Sequence, residues 1–361
     1  MAKSRYRRIV VKVGTNVIAG EDGLLQNVVM RSLTQQIASL RKEGTEIVLV
    51  SSGAMAAGRV KITPSKNTTK VTSRQVLAAV GQVELVHRYA ELFATQEIIT
   101  AQVLATKEDF RDRQHYLNMR GCFEALLNEG IIPIVNENDV VSVSELMFTD
   151  NDELAGLVAS MLQADALILL TNVNGIHDGD PENPSSQLLR EAPSSNAEWE
   201  RIIHPRLSQF GRGGMLTKCK TARKLAALGI QTHIANGMVE NILPMILEGA
   251  PVGTVFRAEK QASSAKRWVA GSEGREKGTV TINACAVDVI TSKERAASLL
   301  PVGITGVEGA FEKGDLVRVV SEEGKAVAIG VAGYGAQKAR EAIGKKGQRP
   351  LIHYDYLFLL S

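Results

Sequence analysis

Through the first 260 residues, apolar positions alternate between two textures. Dense runs rich in β-branched residues occur at Arg8 to Val13, Ile47 to Val50, Ile98 to Leu104, Ile131 to Val135 and Ala166 to Leu170. Between them, apolar residues recur at helical spacing: Leu33, Ile37 and Leu40, then Val76, Leu77, Val80, Val83, Val86 and Leu92, then Leu117 to Leu127. A run that is continuously apolar belongs to a strand covered on both faces, and helices between such strands make the crossovers of a parallel sheet. The pattern predicts an α/β fold, a three-layer αβα sandwich with a mainly parallel sheet. In such sheets ligands sit beyond the carboxyl ends of the strands.

After about Pro251 the texture changes. Glu259 to Lys277 is polar and rich in small residues, and the rhythm then becomes β only, with short segments at Gly278 to Ile282, Gly306 to Glu308, Asp315 to Val320 and Ala326 to Val331. A short amphipathic helix, Ala286 to Ala297, interrupts them. This predicts one domain over residues 1–260, a linker over 261–277, and a small barrel or folded sheet over 278–361.

Composition narrows the class. The chain has 361 residues, 44% hydrophobic and 22% charged, which suits a globular protein with a large core. No apolar stretch approaches the roughly 20 residues that span a bilayer, so no membrane is implied. The basic start, Lys3, Arg5, Arg7 and Arg8, precedes an apolar run that Lys12 breaks too early for a signal peptide. Cys122, Cys219 and Cys285 lie far apart, without metal or redox spacing, which reads as a reducing, cytoplasmic compartment. Residues 1–261 carry 28 basic and 28 acidic groups, and residues 262–361 carry 14 and 11. That surplus is too small and dispersed for a dedicated nucleic-acid binder.

Candidate chemistry gathers at predicted strand ends. Asn136 to Glu153 holds six carboxylates and three carboxamides with no Lys or Arg. The cluster calls for an outside cation: a metal, a substrate ammonium group, or a lysine from elsewhere in the chain. Lys12 and Gly14 close the first strand, where a lysine and a close-approaching backbone suit a phosphate oxygen, although a snorkelling surface lysine fits the same pattern. Ser51, Ser52 and Gly53 follow the second strand, and Ser52 is either a ligand donor or a helix N-cap. Gly211 to Lys218 places three glycines and a lysine ahead of a helical pattern, an arrangement for wrapping an anion at a positive helix end. Neither a Walker A loop nor a Gly-x-Gly-x-x-Gly turn after the first strand is present. Two lysines, an anion loop and an acid and amide cluster at one sheet edge form the inventory for phosphoryl transfer.

Together VVKVGTNVI, SSGAMAAGR, LAAVGQ, IPIVNENDVV, DNDELAGLVA, LLTNVNGI and GRGGMLTK resemble, in order and spacing, the amino acid kinase family and its glutamate-phosphorylating branch. The tail, with SLLPVGITGVEGAFEKGDLVRV, is similar to a PUA domain. The resemblance implies ATP-dependent phosphorylation of the γ-carboxylate of L-glutamate, opening proline synthesis, with Mg²⁺ carried on ATP and no protein metal site. It implies that Lys12 meets the transferring phosphoryl group, that Lys218 meets the β and γ phosphates, and that Asp150 orients the lysines. Ser52 and Gly53 would hold glutamate through main-chain and hydroxyl donors, while Asp139 and Asn151, supported by Asn136, would receive its ammonium group. Thr171, Asn172 and the loop Arg212, Gly213, Gly214, Met215, Leu216, Thr217 and Lys218 would bind ATP. The sequence departs from the family's usual residues at Asn172, His177, Arg212 and Leu216, all on the nucleotide side. A homo-oligomer, dimer or tetramer, is also implied. Two other readings stay open: a relative acting on aspartate or acetylglutamate, and a protein that binds RNA through its PUA-like tail.

Overall fold

The computed structural model describes residues 5–20, 24–65, 67–141, 150–179, 183, 185–192, 214–258, 269, 276–292 and 297–360. The chain divides into two units, residues 1–261 and 262–361.

The first unit is built on a seven-stranded sheet. Its strands are β1 (Arg8–Val13), β2 (Glu46–Ser51), β3 (Thr100–Ala105), β4 (Ile132–Glu137), β5 (Ala166–Thr171), β8 (Gln231–Asn236) and β9 (Thr254–Phe256), in the order β3-β4-β2-β1-β5-β8-β9. All pairings are parallel except that of β8 with β9. Two-residue strands β6 (Ile176–His177) and β7 (Leu188–Leu189) form a small separate hairpin.

The helices are α1 (Thr15–Ile18), α2 (Asn27–Lys42), α3 (Ala54–Lys61), α4 (Lys70–Ala94), α5 (Lys107–Arg111), α6 (Arg113–Asn128), α7 (Asn151–Met161), α8 (Met215–Ala227) and α9 (Ile242–Glu248). Strand periodicity divides β1 between two helix layers. Ile9, Val11 and Val13 join a core with Met30, Leu33 and Ile37 of α2, Leu85, Tyr89 and Phe93 of α4, and Ile242 and Ile246 of α9. Val10 and Lys12 point to the other layer, where α7 packs on β1. Burial of these aliphatic side chains contributes about 25 cal/mol per Å² of apolar surface, which the charged end of Lys12 forgoes.

The run at Ile98 to Leu104 differs from expectation. It forms edge strand β3, where Ile99 is 69% exposed and Leu104 is also exposed. An edge strand lacks a neighbour on one side, so a continuous apolar run does not secure burial there.

The second unit has a five-stranded sheet in the order β11-β10-β12-β13-β14, from β10 (Gly278–Ile282), β11 (Ile304–Gly309), β12 (Leu316–Ser321), β13 (Ala326–Val331) and β14 (Leu357–Leu359). Helices α10 (Ala284–Thr291) and α11 (Ala336–Ala342) accompany it. Its core includes Val280, Ile282, Phe311, Val317, Val319, Ala328 and Leu351. Helix α10 is shorter than the predicted Ala286 to Ala297, because the chain leaves the helix at Ser292. Val269, inside the segment read as linker, is buried against Leu316 and Ile329. Most of that segment lies outside the described residues.

Candidate active site

Parallel pairing brings the carboxyl ends of β1, β2, β4, β5 and β8 to one edge. Lys12 sits one residue before the end of β1, in register with Val50 and Leu169, and is only 5% exposed. Lys218 lies in the first turn of α8 and is 7% exposed. Their ammonium groups converge on one carboxylate. Lys12 Nζ is 2.7 Å from Asp152 Oδ1, and Lys218 Nζ donates to Asp152 Oδ2 at 2.8 Å.

Asp152 has no exposed surface. Burial works against its ionisation, but the two ammonium groups outweigh that penalty and hold its carboxyl below the usual range. Two ammonium groups thus converge on one buried carboxylate, and the Asp150 carboxyl is close enough to feel the Lys12 charge. Gly156 and Thr221 allow this convergence. A Cβ at Gly156 would press on the Thr221 methyl, so the missing side chain lets α7 and α8 approach.

The expectation that Asp150 orients the lysines differs from what is seen. Asp150 is the N-cap of α7, where its Oδ1 accepts from the amides of Asp152 and Glu153, and its Oδ2 accepts from Thr217 Oγ1 at 2.6 Å. Asp150 acts on Lys12 only through its charge, and the ammonium groups of both lysines pair with the carboxylate two residues later. Asp150 therefore ties α7 to α8. Burial and the neighbouring Asp152 charge push its pKa up. Glu153 pairs with Lys107 at 2.7 Å.

On the other side of Lys12, carboxamides form a relay. Asn136 Oδ1 accepts from the Glu137 amide and from Asn151 Nδ2, both at 2.9 Å, while Asn136 Nδ2 donates to Gln82 Oε1 at 2.8 Å. Asn151 Nδ2 also donates to Ser52 Oγ at 2.9 Å. Asp139 follows this strand end, half-buried. Ser52 is not a helix N-cap: Gly53 takes that position, in a left-handed conformation with φ 107° that favours glycine. The Ser52 amide donates to the Val13 carbonyl, which leaves its hydroxyl as the side-chain donor. Below it, Ser51 Oγ meets the buried Tyr89 hydroxyl at 3.0 Å, and burial pushes that phenol up to about 12.

The predicted nucleotide residues occupy the ends of β5 and the start of α8. Thr171 ends β5, and its hydroxyl is 3.4 Å from Asn172 Oδ1. Gly214 caps α8, its carbonyl accepting from the Thr217 amide, and Met215 and Leu216 open the helix. Arg212 and Gly213 lie outside the described residues. His177 is on β6, half-buried. The Gly14 amide is engaged by the Leu170 carbonyl, so it joins β1 to β5.

Residues 7–236 match the model of the amino acid kinase family. The chain belongs to the amino acid kinase family. Residues 278–354 of this kinase match the PUA domain. Over 356 residues, 98% of each chain, it is 56% identical to the glutamate 5-kinase of Chlorobaculum tepidum. Over 361 residues, 99% of each chain, it is 50% identical to the glutamate 5-kinase of Bacteroides thetaiotaomicron. Its fold is shared with a UMP kinase from Bacillus anthracis, at a TM-score of 0.50 and 16% identity over 71% of this chain and 97% of that one.

Proposed function

We propose that this kinase transfers the γ-phosphoryl group of ATP to the γ-carboxylate of L-glutamate, giving L-glutamyl 5-phosphate and ADP. The observation that carries the reading is the buried convergence of Lys12 and Lys218 on Asp152 at the carboxyl edge of the sheet, beside the Asn136–Asn151–Ser52 relay. A γ-carboxylate oxygen forms the new bond to phosphorus as the bond to the β-phosphate oxygen breaks. Lys12 and Lys218 neutralise the charge of that transfer, and Asp152 holds both amines in place. Asn151 spends its Nδ2 inside the relay, so its Oδ1 and the Asp139 carboxylate accept from the glutamate ammonium group. Ser52 donates to a glutamate carboxylate. Thr171, Asn172 and the turn into α8 hold the nucleotide.

Magnesium travels on the nucleotide in this reading. Among the described residues no three His, Cys, Asp or Glu side chains gather as a ligand set, and both oxygens of Asp152 face ammonium groups. The same kinship supports a cytoplasmic homo-oligomer, and among the described residues no helix is long and apolar enough to cross a membrane.

Coupled ADP release measured in parallel with glutamate, aspartate and N-acetylglutamate tests the acceptor. Glutamate is expected to give the largest kcat/KM, and equal or greater turnover with either competitor overturns the assignment. Asp139→Ala is expected to raise the KM for glutamate more than that for ATP; equal rises would make Asp139 structural. A subsidiary RNA contact through the second unit is supported by its PUA match and by exposed Lys338, Lys345, Lys346 and Arg349. Charge reversal at Lys345 and Lys346 should then weaken RNA binding without changing ADP release.

A further inference from the structure

The LAAVGQ segment takes no direct part in the chemistry above, yet its last residue lies against the acceptor side of the site. Gln82, on α4, is 9% exposed, and its Oε1 accepts from Asn136 Nδ2 at 2.8 Å. Its Nε2 meets no acceptor among the described residues. A buried amide nitrogen without a partner costs about 1–3 kcal/mol, so packing alone would favour an apolar side chain of this size. What glutamine supplies is one carbonyl oxygen, aimed at Asn136.

That oxygen acts on a chain of hydrogen bonds with a single sense. The Glu137 amide can only donate, so Asn136 must turn Oδ1 toward it and Nδ2 toward Gln82. With Asn136 in that orientation, Asn151 must present Nδ2 to it, and the same nitrogen donates to Ser52 Oγ. Ser52 Oγ is then an acceptor within the protein, and its hydrogen is directed outward. Flipping Asn136 would set its amide nitrogen against the Glu137 amide, which cannot reverse its role. Next to Gln82, two glycines let α4 pack tightly on α3. A Cβ at Gly81 would collide with the Ala54 carbonyl and the Gly58 amide, and a Cβ at Gly58 would collide with the Leu77 carbonyl.

We propose that Gln82 is a positioning residue of the acceptor site: by accepting from Asn136 Nδ2 it holds Asn136 in the orientation that the Glu137 amide dictates, and with it the Asn151–Ser52 relay whose Ser52 hydroxyl donates to the acceptor's carboxylate. The proposal rests on the acceptor-site reading above. It assigns Gln82 a part in recognising an anionic acceptor and none in holding ATP.

Gln82→Met keeps the shape and removes the acceptor oxygen, whereas Gln82→Glu keeps an acceptor oxygen. Steady-state kinetics on the full chain should show the KM for glutamate raised on the order of tenfold in Gln82→Met, as expected for about 1.4 kcal/mol, with the KM for ATP within about twofold. Gln82→Glu should recover most of that loss. If Gln82→Met does not fold, Gln82→Asn, which withdraws the carbonyl by one methylene, is read in the same way. Combining the change with Ser52→Ala locates the effect: the double variant should be no worse for glutamate than Ser52→Ala alone. Additive losses, equal rises in both KM values, or an unchanged KM for glutamate in Gln82→Met would overturn the role of Gln82. If Ser52→Ala itself leaves the KM for glutamate unchanged, the acceptor-site reading of Ser52 fails, and the proposal with it.

Discussion

The two ends of β1 hold cations in different company, a half-buried Arg8 at the start and a buried Lys12 near the end. At its start, Arg8 donates to Glu46, to both oxygens of Glu124 and to the Leu162 carbonyl. One guanidinium there faces two carboxylates, and four of its five N–H donors bond within the protein. At its end, two ammonium groups share the single carboxylate of Asp152. A third buried pair, Tyr6 with His233, is near the amino end and neutral: the phenol meets Nε2 at 2.9 Å. The same strand thus has a stabilising end, where one guanidinium bridges two carboxylates, and a working end, where two ammonium groups converge on one. Stability and function should separate cleanly along it.

The largest expected effect comes from breaking the working end. Lys12→Ala should lower turnover on the order of 10² to 10³-fold, as for loss of one transition-state donor. Because Asp152 keeps its bond to Lys218, thermal unfolding should shift little. A normal kcat with a large fall in Tm would reverse the comparison.

Next is the neutral pair. Burial, then the Arg5 charge, lower the pKa of His233 to about 4. The unfolded chain therefore takes up a proton near pH 6.5 that the folded chain refuses. Stability is fully present above pH 6.5 and falls toward pH 4, by a total approaching about 3 kcal/mol. Urea unfolding at pH 7 and pH 4.5 measures the loss, and His233→Gln should flatten it.

At the stabilising end, Arg8→Met leaves Glu46 and Glu124 without their shared partner and should cost roughly 2 kcal/mol, less than for a fully buried pair since these groups are partly solvated. Turnover per folded molecule should stay within about twofold. A turnover loss matching that of Lys12→Ala would erase the distinction between the two ends.

Most of the sheet was legible because four central strands, β4, β2, β1 and β5, and edge strand β3 announce themselves as apolar runs, whereas β8 and β9 do not. Those runs also locate Lys12, Ser52, Asn136 and Thr171 at carboxyl ends. The choice between Asp150 and Asp152 was not legible. Both lie at the start of a helix, and the assignment turns on where the first helical turn begins. With Asn151 as its first residue, Asp150 becomes the cap and Asp152 turns inward toward β1. Gln82 carries a sequence signal only in hindsight, since nothing local marks a glutamine after a glycine as the neighbour of Asn136, 54 residues away. Helix α11 and strand β14 were passed over because alanines at 336, 339 and 342 and a three-residue strand make weak periodic patterns.

Cys219 follows Lys218 on α8, is 2% exposed, and has its thiol pushed up to about 12 by burial, whereas Cys122 and Cys285 are exposed. The three thiols therefore form a clock with two fast hands and one slow hand. Alkylating reagents consume the exposed pair at solvent rates, and they reach Cys219 only when α8 lifts from its neighbours. Its labelling rate reports, without any substitution, how often the lysine beside it leaves its carboxylate.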